Sequence, residues 1–110
     1  MAKLSISPEA EQDTTELATR LGLRDKALAR RLPRLLWAAA RKVARTPTMG
    51  TPILVDHPAY REARIVDVVG APSAMLVYRP TSTGIDVVRV LSSGSALAGW
   101  LVESTGNDNG

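Results

Sequence analysis

Residues 62–91 read EARIVDVVGAPSAMLVYRPTSTGIDVVRVL and contain three short segments rich in valine and isoleucine. These segments, 62–69, 74–79 and 85–91, are separated by the turn-forming runs 70–73 and 80–84. β-Branched residues favour strands, and separators of this length are typical of hairpins. The stretch therefore predicts a three-stranded antiparallel meander, which needs a covering layer on one face to be stable.

Two predicted helices ahead of the meander supply that layer. Alternation over residues 2–7 predicts a short first strand. Ser7 is a residue type favoured at the N-cap and precedes Pro8, so a helix is expected from there to Gly22. Its acidic residues are expected to face solvent; they are Glu9, Glu11, Asp13 and Glu16.

A second helix is expected from Asp25 to Arg45, because leucines, alanines and a valine recur at helical spacing along it. Pro33 lies inside this pattern and predicts a kink or a break. Only a few residues connect the two helices, which implies an antiparallel hairpin.

The remaining segments complete a single α+β domain over residues 1–104. Prolines and a glycine make 46–61 a predicted long loop, and 95–103 has the spacing of a short C-terminal helix. Residues 105–110 are expected to be a disordered tail. The predicted order is β-α-α-β-β-β, with a helical hairpin packed on a small antiparallel sheet.

The composition argues against several kinds of functional site in this chain. The 110 residues include no cysteine and a single histidine, His57, so a zinc site or a cysteine nucleophile is not expected. No glycine-rich phosphate loop follows a strand, and no apolar run is long enough to span a membrane. The sequence predicts a cytoplasmic protein that binds no metal and no cofactor.

Basic residues are concentrated on the second helix. The net charge is only +3, yet residues 20–45 contain nine basic side chains and one acidic one. Helical spacing places the basic stripe, defined as Arg30, Arg34, Trp37 and Arg41, opposite the apolar face. Arginine and tryptophan are favoured anchors of protein interfaces. The stripe fits an acidic or amphipathic protein partner, a solvated helix face, or a nucleic-acid contact.

A second candidate site lies on the meander. Strand alternation predicts that Arg89 shares a face with Ile85 and Val87, and that Tyr78 lies on the neighbouring strand. The residues of this candidate site are Arg61, Arg64, Tyr78, Arg79 and Arg89, and arginines on a sheet face can hold a phosphate or a carboxylate through two hydrogen bonds. The alternative is that these arginines form ion pairs with nearby acids, Glu62, Asp67 and Asp86.

Four segments of the chain resemble toxins of the RelE/ParE superfamily. They are LSISPEAEQDTTELA at 4–18, ARTPTMGTPI at 44–53, REARIVDVVGAPSAMLVYR at 61–79 and GIDVVRVL at 84–91. The resemblance implies the same helical hairpin on a sheet. It also implies the toxin half of a type II toxin–antitoxin pair, with a cognate antitoxin as partner in a hetero-oligomer.

The resemblance leaves two targets open. RelE-like members cut messenger RNA on the ribosome with basic and aromatic sheet residues, for which Arg64, Tyr78 and Arg89 match here. ParE-like members inhibit DNA gyrase. This chain has Met75 and Leu76 where many members have a basic residue, and a Ser-Ser-Gly-Ser run (92–95) after the last strand where many are basic. These departures favour the ParE-like function; a member that has lost toxicity and acts as a binding module is a third possibility.

Overall fold

The computed structural model describes residues 2–54, 57–71, 73–93, 95, 97–99 and 101. The first half comprises β1 (Lys3–Ile6), α1 (Pro8–Gly22), α2 (Lys26–Arg45) and a two-residue strand, β2 (Thr51–Pro52). A 3-10 turn (Pro58–Tyr60) then leads to β3 (Arg64–Asp67), β4 (Ala74–Pro80) and β5 (Gly84–Ser92). Both predicted helices and all three meander strands are present.

The strands form one five-stranded sheet in the order β1-β5-β4-β3-β2. Strands β3, β4 and β5 are antiparallel neighbours, as the meander predicted, and β2 adds an antiparallel edge next to β3. Strand β1 instead pairs in parallel with β5, so the sheet is mixed and the prediction of a purely antiparallel sheet was wrong at this edge. Alternation identifies a strand but carries no information about its direction. Gly84 allows the close approach, since a Cβ there would overlap the backbone of Lys3.

The helices begin where the capping residues place them. Ser7 accepts a hydrogen bond from the Ala10 amide at 3.0 Å, and Asp25 accepts one from the Leu28 amide at 2.9 Å. Pro33 is exposed, and α2 continues through it as one helix, so the predicted break does not occur. Leu32, next to this proline, and Leu36 are buried against the core and hold α2 in place.

Segment 46–61 has more structure than the predicted long loop. It contains β2, which pairs with β3 through Thr51 and Ile65, and the 3-10 turn. Proline at the second position of β2 is compatible with a sheet edge. A two-residue strand is too short to show alternation, so its pattern in the sequence is indistinguishable from a loop.

Apolar side chains pack on both faces of the sheet. The larger cluster lies between the sheet and the two helices and includes Leu32, Leu76 and Tyr78. A second cluster covers the opposite face, where Tyr60 and Leu101 meet Val77. Residues 97–99 and 101 are helical, in agreement with the predicted C-terminal helix. The predicted disordered tail, 105–110, lies outside the described residues.

Candidate functional site

The basic stripe is exposed along the outer surface of α2. Arg30, Arg34, Trp37 and Arg41 all have exposed side chains, while the opposite side of α2 is buried in the core. Within the described part of the chain, no ion pair involves these arginines. Their guanidinium groups are therefore available to a partner.

Trp37 connects this stripe to an apolar groove of about 450 Å³. The side chain of Trp37 is 45% exposed, which is unusual for a residue of this size in a monomer. Leu36 and Ala40 form the α2 wall of the groove, and Leu76 and Val87 are among its sheet residues. We call this cavity the Trp37 groove.

The N-terminal part of α1 and the end of β1 form the other wall. Ser7 fixes this wall because its hydroxyl donates to the Val88 carbonyl at 2.7 Å while its oxygen also caps α1. Ile6, 37% exposed, and Thr14 contribute further groove lining. Most of the groove surface is apolar, so an amphipathic segment can bury its apolar side chains here.

Arg64 and Tyr78 lie together, but both are engaged with the segment that follows α2. They are register partners across β3 and β4. Tyr78 is completely buried; its hydroxyl donates to the Pro47 carbonyl at 2.6 Å and accepts from the Gly50 amide at 2.9 Å. Arg64 Nη1 donates to the carbonyls of Thr48 and Gly50. Burial raises the pKa of Tyr78, although the Gly50 hydrogen bond and Arg64 act in the opposite direction.

Arg89 is separated from these two residues by a β-bulge. The register shifts between Val77 and Tyr78, so Arg89 is paired with Val77 while Val87 is paired with Tyr78. Val77 belongs to the cluster on the face opposite the helices, and directly paired residues share a face. The prediction that Arg89 shares a face with Ile85 and Val87 was therefore wrong, because the bulge adds a residue and reverses the alternation.

The partner of Arg89 is Asp13 on α1. Arg89 Nε and Nη2 donate to the two Asp13 carboxylate oxygens at 2.6 and 2.9 Å, and the Val90 amide donates to the same carboxylate at 3.0 Å. The hydrogen bond to Asp13 is the main cause that raises the pKa of Arg89. The expectation that Asp13 faces solvent was wrong. Its spacing was informative, because it lies three residues after buried Ala10 and four before buried Leu17.

The side chains of Arg79 and His57 also form hydrogen bonds with the backbone of residues 59–61. Arg79 donates from Nε to the Arg61 carbonyl at 3.1 Å and from Nη2 to the Ala59 carbonyl at 2.8 Å. His57 Nδ1 accepts from the Ala59 amide and caps the 3-10 turn.

Within the described residues there is no group of three or more histidine, aspartate or glutamate side chains placed to hold a metal ion. No helix in the same residues has the length and apolarity that a membrane span requires.

The sequence did not predict the Trp37 groove, because its walls come from elements far apart in the chain. Ile6 and Trp37 line the same cavity although they belong to β1 and α2. The spacing on α2 correctly predicted which side chains are exposed. The spacing on α2 carries no information about the position of β1 next to β5, and this position completes the groove.

The fold has a close match among solved structures. A chain from the chromosomal ParDE TA system from P. aeruginosa superimposes with a TM-score of 0.65 at 12% sequence identity, covering 84% of this chain and 96% of that chain. No family model matches the sequence, and no curated protein matches it. The match confirms the α+β fold that the sequence resemblance implied.

Proposed function

We propose that the chain is the toxin component of a type II toxin–antitoxin system, inhibits DNA gyrase in the manner of ParE and is neutralised by a cognate antitoxin. The fold match to a chain of a ParDE system carries this proposal. It is supported by the four sequence segments that resemble RelE/ParE toxins. Neither observation alone identifies the target.

The antitoxin is proposed to bind over the basic stripe and the Trp37 groove. An acidic segment with apolar side chains complements both features, because the groove accepts the apolar groups and Arg30, Arg34 and Arg41 face the acidic ones. Opposite charges across an interface accelerate association and favour the correct partner. Trp37 is the proposed anchor, since buried tryptophan contributes strongly to binding.

The geometry favours gyrase over messenger RNA as the target. A ribonuclease needs acid–base groups and positive charge assembled at one phosphate. Arg64 and Tyr78 instead bind backbone groups of residues 47–50, and Arg89 is paired with Asp13. The RelE-like alternative therefore requires these hydrogen bonds to be exchanged for contacts to RNA.

Controlled expression of the chain without its antitoxin tests this proposal. We expect growth arrest with induction of the DNA-damage response, and inhibition of supercoiling when the purified protein is added to gyrase. Messenger RNA should remain intact in the same cells. Co-expression of a short acidic protein encoded by the neighbouring reading frame should restore growth.

Each alternative gives a different result in this experiment. Rapid loss of messenger RNA with normal supercoiling would contradict the gyrase proposal and favour the nuclease. Harmless expression of folded protein would favour a binding module without toxicity. RNA cleavage is a better criterion than the toxicity of Arg89→Ala, because removing Arg89 also breaks its ion pair with Asp13.

A further inference from the structure

Glu11 on α1 is the one charged residue among the described residues that line the Trp37 groove. The two threonines of the same wall, Thr14 and Thr15, donate their hydroxyls to backbone carbonyls of α1. The Glu11 side chain is exposed and forms no ion pair within the described part of the chain. The α1 wall of the groove therefore presents an unpaired carboxylate to the molecule that occupies it.

Helical spacing explains why Glu11 faces the groove while other acidic residues of α1 do not. Glu11 shares a side of the helix with Thr14, which lines the groove, and with Ala18, which packs against the core. Glu9 and Glu16 are also exposed, but they lie about 140° or more around the helix axis from Glu11 and do not line the groove. The negative charge at the groove thus belongs to one position and not to the whole acidic helix.

The opposite wall belongs to α2, where the charge has the opposite sign. Arg34 and Arg41 lie one helical turn before and after Trp37, so they are its neighbours on the exposed surface of α2. An occupant of the groove has a carboxylate on its α1 side and guanidinium groups beyond Trp37 on its α2 side. A segment that is acidic on both flanks would bring one of its acids to Glu11, and like charges across an interface are unfavourable.

We propose that Glu11 is a specificity-determining residue that pairs with a basic side chain of the antitoxin segment, on the flank opposite to the acidic residues of that segment. The proposed function supplies the antitoxin as the occupant of the groove, and this assignment rests on it. The segment then binds in one direction, because reversing its direction exchanges the two flanks and brings like charges together. The apolar groove retains the segment, and the two charged rims select its orientation and exclude partners with the wrong pattern.

Binding of the purified protein encoded by the neighbouring reading frame to variants of the full chain tests this pairing. Glu11→Lys should raise the dissociation constant by about tenfold or more, because it replaces an attraction by a repulsion. Glu9→Lys is the matched control. It makes the same change in charge in the first turn of α1, with the same effect on the helix dipole, but Glu9 does not line the groove. Its dissociation constant should remain close to that of the wild type.

A charge exchange identifies the residue that faces Glu11. Each basic residue of the antitoxin segment is changed in turn to glutamate, and one of these antitoxin variants should bind Glu11→Lys more tightly than it binds the wild-type chain. Equal effects of Glu9→Lys and Glu11→Lys, or the failure of every antitoxin variant to restore binding, would overturn the pairing and leave the proposed function standing. An antitoxin that does not bind the wild-type chain would instead contradict the proposed function, and the pairing with it.

Discussion

Tyr78 is a residue whose type suggested catalysis and whose environment shows a structural role. Its hydroxyl joins β4 to the segment after α2 through a hydrogen bond to the Pro47 carbonyl and one from the Gly50 amide. The sequence predicted the strand of Tyr78 correctly. It could not reveal these two backbone partners, because the conformation of residues 46–50 is determined by the contacts themselves.

Tyr78→Phe is expected to destabilise the protein. The substitution retains the ring in the core but leaves the buried Gly50 amide without its acceptor, which costs about 1–3 kcal/mol in the free energy of unfolding. Urea unfolding at neutral pH measures the loss. A variant as stable as the wild type would contradict the structural role of this hydroxyl.

A comparison of the wild type with Tyr78→Phe at alkaline pH tests the same environment through the pKa of Tyr78. Burial raises the pKa of Tyr78 above its ordinary value of 10.0, so the fold favours the protonated phenol. The corresponding stability is fully present below pH 10.0 and is lost as the pH rises through the folded-state pKa. Tyr78→Phe has no phenol to ionise. The stability advantage of the wild type over Tyr78→Phe should therefore decrease as the pH rises above 10.0. A constant difference would exclude this linkage.

At the scale of elements, α1 is attached to the sheet by a polar contact as well as by its apolar face. Asp13 reaches the part of β5 that β1 does not cover and accepts from the Val90 amide there. The ion pair between Asp13 and the neighbouring residue of β5, Arg89, completes this attachment. The carboxylate thus satisfies a backbone donor on the part of the β5 edge that is not paired with β1.

Asp13→Ala is expected to lower the free energy of unfolding by about 2–4 kcal/mol, because it removes the ion pair of a partly buried arginine and leaves the Val90 amide without its acceptor. Thermal or urea unfolding measures this change, and hydrogen exchange should show faster exchange at the Val90 amide. Glu9→Ala removes an exposed acid from the same helix and should cost about 1 kcal/mol or less. Equal effects of the two substitutions would contradict the attachment by Asp13.

The elements that the sequence predicted are those determined by local interactions. Ser7 and Asp25 start the helices through hydrogen bonds to amides three residues ahead. Long-range features were missed: the parallel pairing of β1, the short strand β2 and the bulge that moves Arg89 to the other face. Each depends on a neighbouring strand that the local pattern does not specify.

At the scale of the whole molecule, the distribution of charge determines how the proposed partner is recognised. The total of +3 gives little information, but Arg30, Arg34 and Arg41 lie on the exposed basic stripe together with Trp37, which lines the Trp37 groove. Attraction to this stripe acts over about 10 Å at moderate salt, so it steers an acidic segment before contact. The groove then retains the segment by burying its apolar side chains.

This division of roles predicts two separable kinetic effects on antitoxin binding. Arg34→Glu should slow association and make it less sensitive to salt, because it reverses a charge in the stripe. Trp37→Ala should mainly speed dissociation, because it removes the apolar anchor. The double variant should lose about a hundredfold or more in affinity, measured by surface-based binding kinetics at two salt concentrations. Arg24→Glu makes the same change in net charge at the exposed connection between the helices and should have little effect. If Arg24→Glu and Arg34→Glu weaken binding equally, the antitoxin recognises overall charge, and the basic stripe is a solvated helix face.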